Sequence, residues 1–271
     1  MRNPMIDYYN EIYTRFGTIR RARGFYLYTS KNIRLIDMYL DGGQSILGRR
    51  TGQKHLVFKQ FLDRGLTCRL PTQAEINLKK AVNNFFPLMQ VRWYETQKKA
   101  ISICESITAK PAVIWKPFLP DKKIEENAFV LSLPFPADYG VAVFSSELTD
   151  IPESDALFPP MLQTLARAFF DLAAETKKYI EEKQRANLKT ISLKKKDTDK
   201  KTLDNLIPYF WEQKEVYLFP KMPESAYTDF FQSALDAHIL IAPEYHRPSI
   251  LPRLNIYTEL INFLKTQRGK V

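Results

Sequence analysis

One junction in this chain sets a strand directly before a helix, a geometry in which backbone amides can meet an anion, and it carries an acid. Val91-Arg92-Trp93-Tyr94 reads as a buried strand, and Glu95 to Ile107 as a helix following it directly. A helix N-terminus presents unpaired N–H groups and a positive dipole end, so it is a natural seat for a phosphate. The turn here is Glu95-Thr96-Gln97. It has no glycine to let the backbone approach a ligand. Glu95 also puts a negative charge where a dianion would lie, which is unfavourable at short range. As a structural residue the same acid is at home, because the first turn of a helix favours a carboxylate.

Other reactive types are scattered. His55 stands alone on a helix, and His238 and His246 lack carboxylate or cysteine neighbours at metal-ligand spacing, so no metal site is expected. Two cysteines, Cys68 and Cys104, do not make a disulfide scaffold, and a reduced, cytoplasmic setting follows. Lys110 and Lys116 flank a short strand, read as solvated loop residues. No catalytic residue is assigned. The balance of Lys and Arg over Asp and Glu is +10. Gln184 to Lys201 concentrates part of it: Lys189, Lys194, Lys195, Lys196, Lys200 and Lys201 face Asp197 and Asp199. The first reading is a solvated linker. The alternative is a polyanion or RNA contact through phosphates. Nucleic acid is not expected as a partner, because no aromatic side chain interleaves this run.

The elements that must position these residues are legible as periodicities. Ile6 to Phe16 has Ile6, Tyr9, Tyr13 and Phe16 on one helical face, with Gly17 as its stop. Phe25–Tyr28 and Ile33–Leu40 read as a hairpin around Ser30-Lys31-Asn32, and Gly42-Gly43 and Gly48 punctuate its exit. Gln53–Asp63 is a helix on the apolar set Leu56, Phe58, Phe61 and Leu62. Thr72 with Glu75 forms a capping box for a helix to about Phe86. Strands are expected at Ala112–Trp115, Phe129–Leu133 and Val141–Phe144, and a long helix at Phe158–Lys183. Thr202–Trp211 is a short helix, Glu215–Phe219 a strand, then a helix, a strand at Ile239–Ile241, and a last helix from about Asn255 to Thr266. Alternating strands and helices give an α/β class. The expected layout is 1–50 arm and hairpin, 51–186 shortened α/β core, 187–201 Lys-rich linker and 202–271 C-terminal α+β lobe. No apolar run reaches the roughly 18 residues of a membrane span.

Gly24, Tyr26, Tyr28, Arg34, Leu35, Ile36, Asp37, Leu47 and Gly48, in this order, resemble the N-terminal hairpin of class III-like, fold type I pyridoxal-phosphate (PLP) dependent aminotransferases. Val91-Arg92-Trp93-Tyr94 with Ala100, Ile103 and Cys104 is similar to their phosphate-turn unit. Phe231, Leu235, Ile239, Leu240, Ile241 and Pro243 are similar to their C-terminal lobe. Arg49 stands where the family has His, and the phosphate turn is replaced by Glu95, Thr96 and Gln97. No Asp-Glu dipeptide matches the family's ring-nitrogen aspartate, and no lysine matches its Schiff-base motif. The resemblance implies a reduced, aminotransferase-like mixed sheet core with a small C-terminal α+β lobe. It implies a homodimer, with a protein partner as a further expectation, and Arg247 and Arg253 as candidates to hold a substrate carboxylate. The expected function is a diverged pseudoenzyme with a binding or structural role, no cofactor, and no enzymatic activity. The alternative is an active PLP-dependent transaminase on an amino-acid-like substrate, completed by a partner subunit.

Overall fold

The computed structural model describes residues 7–49, 52–119, 126–188, 195–253 and 257–269. In chain order the elements are α1 (Tyr8–Phe16), β1 (Ile19–Arg23), β2 (Tyr26–Thr29), β3 (Arg34–Asp37), a 3-10 turn (Leu40–Gly43), α2 (Lys54–Asp63), α3 (Gln73–Asn83), β4 (Gln90–Tyr94), α4 (Gln97–Thr108), β5 (Ile114–Trp115), β6 (Ala128–Leu131), β7 (Gly140–Phe144), α5 (Pro159–Leu188), α6 (Lys195–Phe210), β8 (Trp211–Lys214), β9 (Tyr217–Pro220), α7 (Glu224–Asp236), β10 (Ile239–Leu240), β11 (Ser249–Ile250) and α8 (Thr258–Arg268). This is a mixed α/β fold. It divides into two compact units: Arg50–Gln184, and Met1–Arg49 joined with Arg185–Val271.

In the unit that holds both chain ends, the sheet order is β1-β2-β3-β10, with β10 parallel to β3 and the other pairs antiparallel. A second sheet, β11-β9-β8, is antiparallel. Leu35, Ile36 and Met38 meet Phe231, Leu235, Ile239 and Leu264 in one core. The second hairpin strand is shorter than its apolar run predicts. It stops at Asp37, whose buried carboxylate accepts the N–H groups of Tyr39 at 3.1 Å and Leu40 at 2.8 Å. That turns the chain out of the sheet, and Leu40, Asp41 and Gly42 take positive φ.

Arg49 then locks the loop. Its Nε donates to Asp37 at 2.8 Å, and its two terminal nitrogens hold Asp41 at 2.8 and 2.9 Å. Its backbone pairs with Gly24 in both directions, and a Cβ on Gly48 would lie 3.1 Å from the Gly24 carbonyl oxygen. Glycine is required there for the close approach. Burial drives the Asp37 carboxyl above its usual range even against the Arg49 charge.

Other boundaries moved for local reasons. The helix expected to reach Trp211 ends at Phe210, because Trp211–Lys214 pairs with Tyr217–Pro220 around Glu215 at φ 55°. α2 buries Lys54 and Phe61, while Leu56 and Leu62 are exposed. The Ala112 strand keeps two residues, Ile114 and Trp115. Helix enters both ends of the Lys-rich run, with α5 reaching Leu188 and α6 beginning at Lys195. Lys189 and Lys194, like Ile6, lie outside the described residues.

The second unit carries the sheet β4-β7-β6-β5, with β5 parallel to β6 and the other pairs antiparallel. β6 and β7 are buried along their whole length, which is why they read as unbroken apolar runs. α4 lies on this sheet through Ala100 and Cys104, packed with Tyr94, Val130, Ala142 and Phe144. Phe86 sits edge-on to Phe129 at 4.9 Å. Among the described residues no helix is long and apolar enough to cross a membrane, and no group of three or more His, Cys, Asp or Glu side chains is placed to hold a metal.

Arg49→Met strands the buried Asp37 carboxylate without its ion partner. It should destabilise the fold by about 3–5 kcal/mol in urea unfolding. Arg49→Met/Asp37→Asn should recover part of that loss.

Candidate functional site

The candidate site is the turn between β4 and α4. The local sequence builds it simply: an apolar strand ends at Tyr94, and Thr96 caps the helix, its Oγ1 accepting the Lys99 N–H at 3.1 Å. The Gln97 N–H goes to the Asp138 carbonyl at 3.2 Å. The Glu95 N–H donates to Asp155 Oδ2 at 2.9 Å. Asp155 is also gripped by Lys99, whose Nζ lies 2.7 and 2.9 Å from its two oxygens. The turn therefore offers one amide, that of Glu95, to an anion, and the anion is a carboxylate from the chain itself. Burial pushes the Asp155 carboxyl up, but the Lys99 hydrogen bond, the Glu95 N–H and the Lys99 charge outweigh it and hold it below the usual carboxylate range.

Asp155 arrives on a segment that runs along the free edge of β4. The Asp155 N–H donates to the Trp93 carbonyl at 3.0 Å, and the Trp93 indole donates back to the Asp155 carbonyl at 3.0 Å. Ser154 Oγ accepts the Trp93 N–H at 3.3 Å, and the Tyr94 hydroxyl donates to the Pro152 carbonyl at 3.0 Å. Behind the turn there is no slack either. A Cβ on Gly140 would lie 2.4 Å from the Ala100 Cβ and 2.7 Å from the Thr96 carbonyl oxygen, so β7 touches the start of α4. Glu95 does not stand in the first turn of the helix as expected, because α4 starts at Gln97 behind the Thr96 cap, and the Glu95 carboxylate points elsewhere, 3.8 Å from the exposed Arg69.

Beside the turn is a cleft of about 260 Å³ lined by both signs of charge, with Arg69, Lys79 and Arg92 against Glu75, Glu153 and Asp155. Lys79 Nζ stands 5.5 Å from the Trp93 ring centre, a cation–π contact. Arg92 Nε is buried without a hydrogen-bond partner, and its other nitrogens make long contacts of 3.3 and 3.4 Å.

The lysines divide clearly. Lys110 is exposed and Lys116 half-buried. The buried amine is Lys54, at the start of α2, and burial lowers its pKa against the pull of the Asp171 charge. Lys54 does not line the cleft beside the turn. Cys104, inside α4, is a buried thiol pushed up to about 12 by burial, which removes it as a nucleophile.

Arg247 and Arg253 belong to the other unit. Arg247 Nε pairs with Glu244 at 2.7 Å, and its guanidinium lies against Gly42. A ligand carboxylate at Arg247 must compete with Glu244. Arg253 is exposed, just past β11. Glu95, Thr96 and Gln97 are thus brought together as expected from their adjacency, and what the sequence reading missed is Asp155. It lies 60 positions from its amide partner, in a stretch with no motif.

No protein-family model matches the chain. An uncharacterized protein of Treponema pallidum (strain Nichols) is 35% identical over 98% of this chain and 99% of its own length. This chain belongs to that protein's family. A second relative, an uncharacterized protein of Borreliella burgdorferi, is 27% identical over 97% of this chain and 91% of its own length. Among solved structures, the acetylornithine aminotransferase of Elizabethkingia anophelis matches with a TM-score of 0.66 at 9% identity, covering 98% of this chain and 99% of that one. The omega-transaminase of Sphaerobacter thermophilus matches with 0.63 at 10%, covering 93% and 91%. This chain therefore has an aminotransferase-like fold.

Asp155→Asn should cost about 1 kcal/mol at neutral pH, discounted because Lys99 is half-exposed. The folded carboxyl titrates below its unfolded value, so its contribution is present above that value and vanishes on acidification. The stability gap to wild type should close below about pH 4 in a series of urea melts.

Proposed function

We propose that this protein is a diverged, non-catalytic member of the aminotransferase fold, whose role is binding or structural. One observation carries the reading: the Glu95 amide and Lys99 are engaged by Asp155. A phosphate at this turn would have to displace a carboxylate held by three charge-assisted bonds. The residues present do not fit the phosphate of PLP, and no reaction step is derived through that group. The same reading has the protein as a cytoplasmic homodimer. The exposed Tyr9 and Tyr13 of α1, 73% and 57% accessible, favour an interface there.

A second reading keeps an active PLP-dependent transaminase, and Lys54 favours it. A buried amine with a lowered pKa is the kind that condenses with carbonyls. One experiment separates the two. The protein is mixed with pyridoxal phosphate, scanned, reduced with borohydride and mapped by peptide mass. The first reading expects no band above roughly 400 nm and no pyridoxyl-lysine. A stoichiometric adduct on Lys54 would establish the second.

A further inference from the structure

α6 and α8 pack together in the unit that holds both chain ends. Leu203, Leu206, Ile207 and Phe210 of α6 and Leu260, Ile261, Phe263 and Leu264 of α8 go into the core. Helical periodicity then fixes what the two helices leave outside. Between their outer edges runs an open groove of about 460 Å³, lined by Thr202, Asn205, Leu206, Lys265, Arg268 and Gly269. Its lining holds two cations, neutral hydrogen-bonding groups and no carboxylate. The acid at the start of α8, Glu259, is taken by Arg34 at 2.6 Å. Lys201, one turn before Asn205 on the same face of α6, is exposed.

At the rim stands Tyr209. Arg268 Cζ lies 4.1 Å from its ring centre, and the residue is still 55% accessible. An exposed ring steadied by an arginine, beside a concave floor whose only charged side chains are the cations Lys265 and Arg268, has the two parts that single-stranded nucleic acid requires. Phosphates find Lys265 and Arg268, and a base finds a π-face. An anionic membrane would be met by a broad convex surface, and an acidic helix would need an apolar strip. The groove supplies neither.

We infer that the α6–α8 groove binds single-stranded nucleic acid, with Lys265 and Arg268 on the phosphates and Tyr209 stacked on a base. This reverses the expectation from the Lys-rich run, where no aromatic is interleaved. The fold supplies the aromatic from the end of α6 and the cations from α8. The inference does not rest on the loss of cofactor binding.

The test is fluorescence anisotropy of a labelled uridine oligomer of about 12 nucleotides, within the span such grooves cover. Wild type should bind, and log K should fall linearly with log salt between about 50 and about 200 mM. Lys265→Ala/Arg268→Ala should weaken binding at least about tenfold and flatten the slope by about 1.4, two single-strand phosphate contacts. Tyr209→Ala should weaken it by about tenfold, and Tyr209→Phe should not. These side chains are outside the core, and thermal melts should show all variants folded. Arg20→Ala/Arg21→Ala, an equal charge change on β1, is the control and should bind like wild type. Equal losses in the control and the groove variant would overturn the proposal. So would unchanged binding in the groove variant, or retention on phosphatidylserine vesicles with none on the oligomer.

Discussion

Asp155 closes the turn that opens α4. Three contacts, from the Glu95 amide and twice from the Lys99 ammonium, satisfy a carboxylate at the place where α4 projects its positive end. Much of the second unit follows from this arrangement. The segment that brings Asp155 in also closes the free edge of β4 through Ser154, Trp93 and Tyr94. An open edge is a template for unwanted pairing, and an internal strap removes it. The same contacts thus finish the sheet and fill the anion seat. A ligand could reach the Glu95 amide only by releasing the strap.

The other unit also ties its chain with an internal ion pair. Arg49 bridges Asp37 and Asp41, and its backbone closes on Gly24. A guanidinium suits this role because its fork can hold two carboxylates at once, which a single imidazole cannot. The buried Asp37 is costly unless paired. Its pairing ties the hairpin to the glycine loop and fixes Leu40 to Gly42 in left-handed backbone. These charged groups serve as internal rivets.

Legibility followed sequence separation. The buried strands β6 and β7, the Thr72 cap and the glycine exits were readable because each depends on near neighbours. The early end of β3 was not, because the apolar run continues past Asp37 while the N–H groups of Tyr39 and Leu40 turn back to the Asp37 carboxylate. β8 was hidden because Trp211-Glu-Gln-Lys alternates weakly and its partner sets it. Helix α2 misled, since the long apolar residues Leu56 and Leu62 face solvent and a lysine is buried. At the turn, Glu95-Thr96-Gln97 spoke against a phosphate, but the residue that takes the phosphate's place was invisible. Asp155 has no local signature, and only the tertiary fold brings it home. The groove between α6 and α8 is likewise a tertiary product.

The most direct measurement is an amide NMR titration that follows the Glu95 N–H. With Asp155 as its acceptor, the Glu95 resonance should move with a single midpoint below about 3.9, the ordinary aspartate value. It should not respond to added inorganic phosphate. A Glu95 amide indifferent to acid, yet shifting saturably with phosphate, would contradict the account.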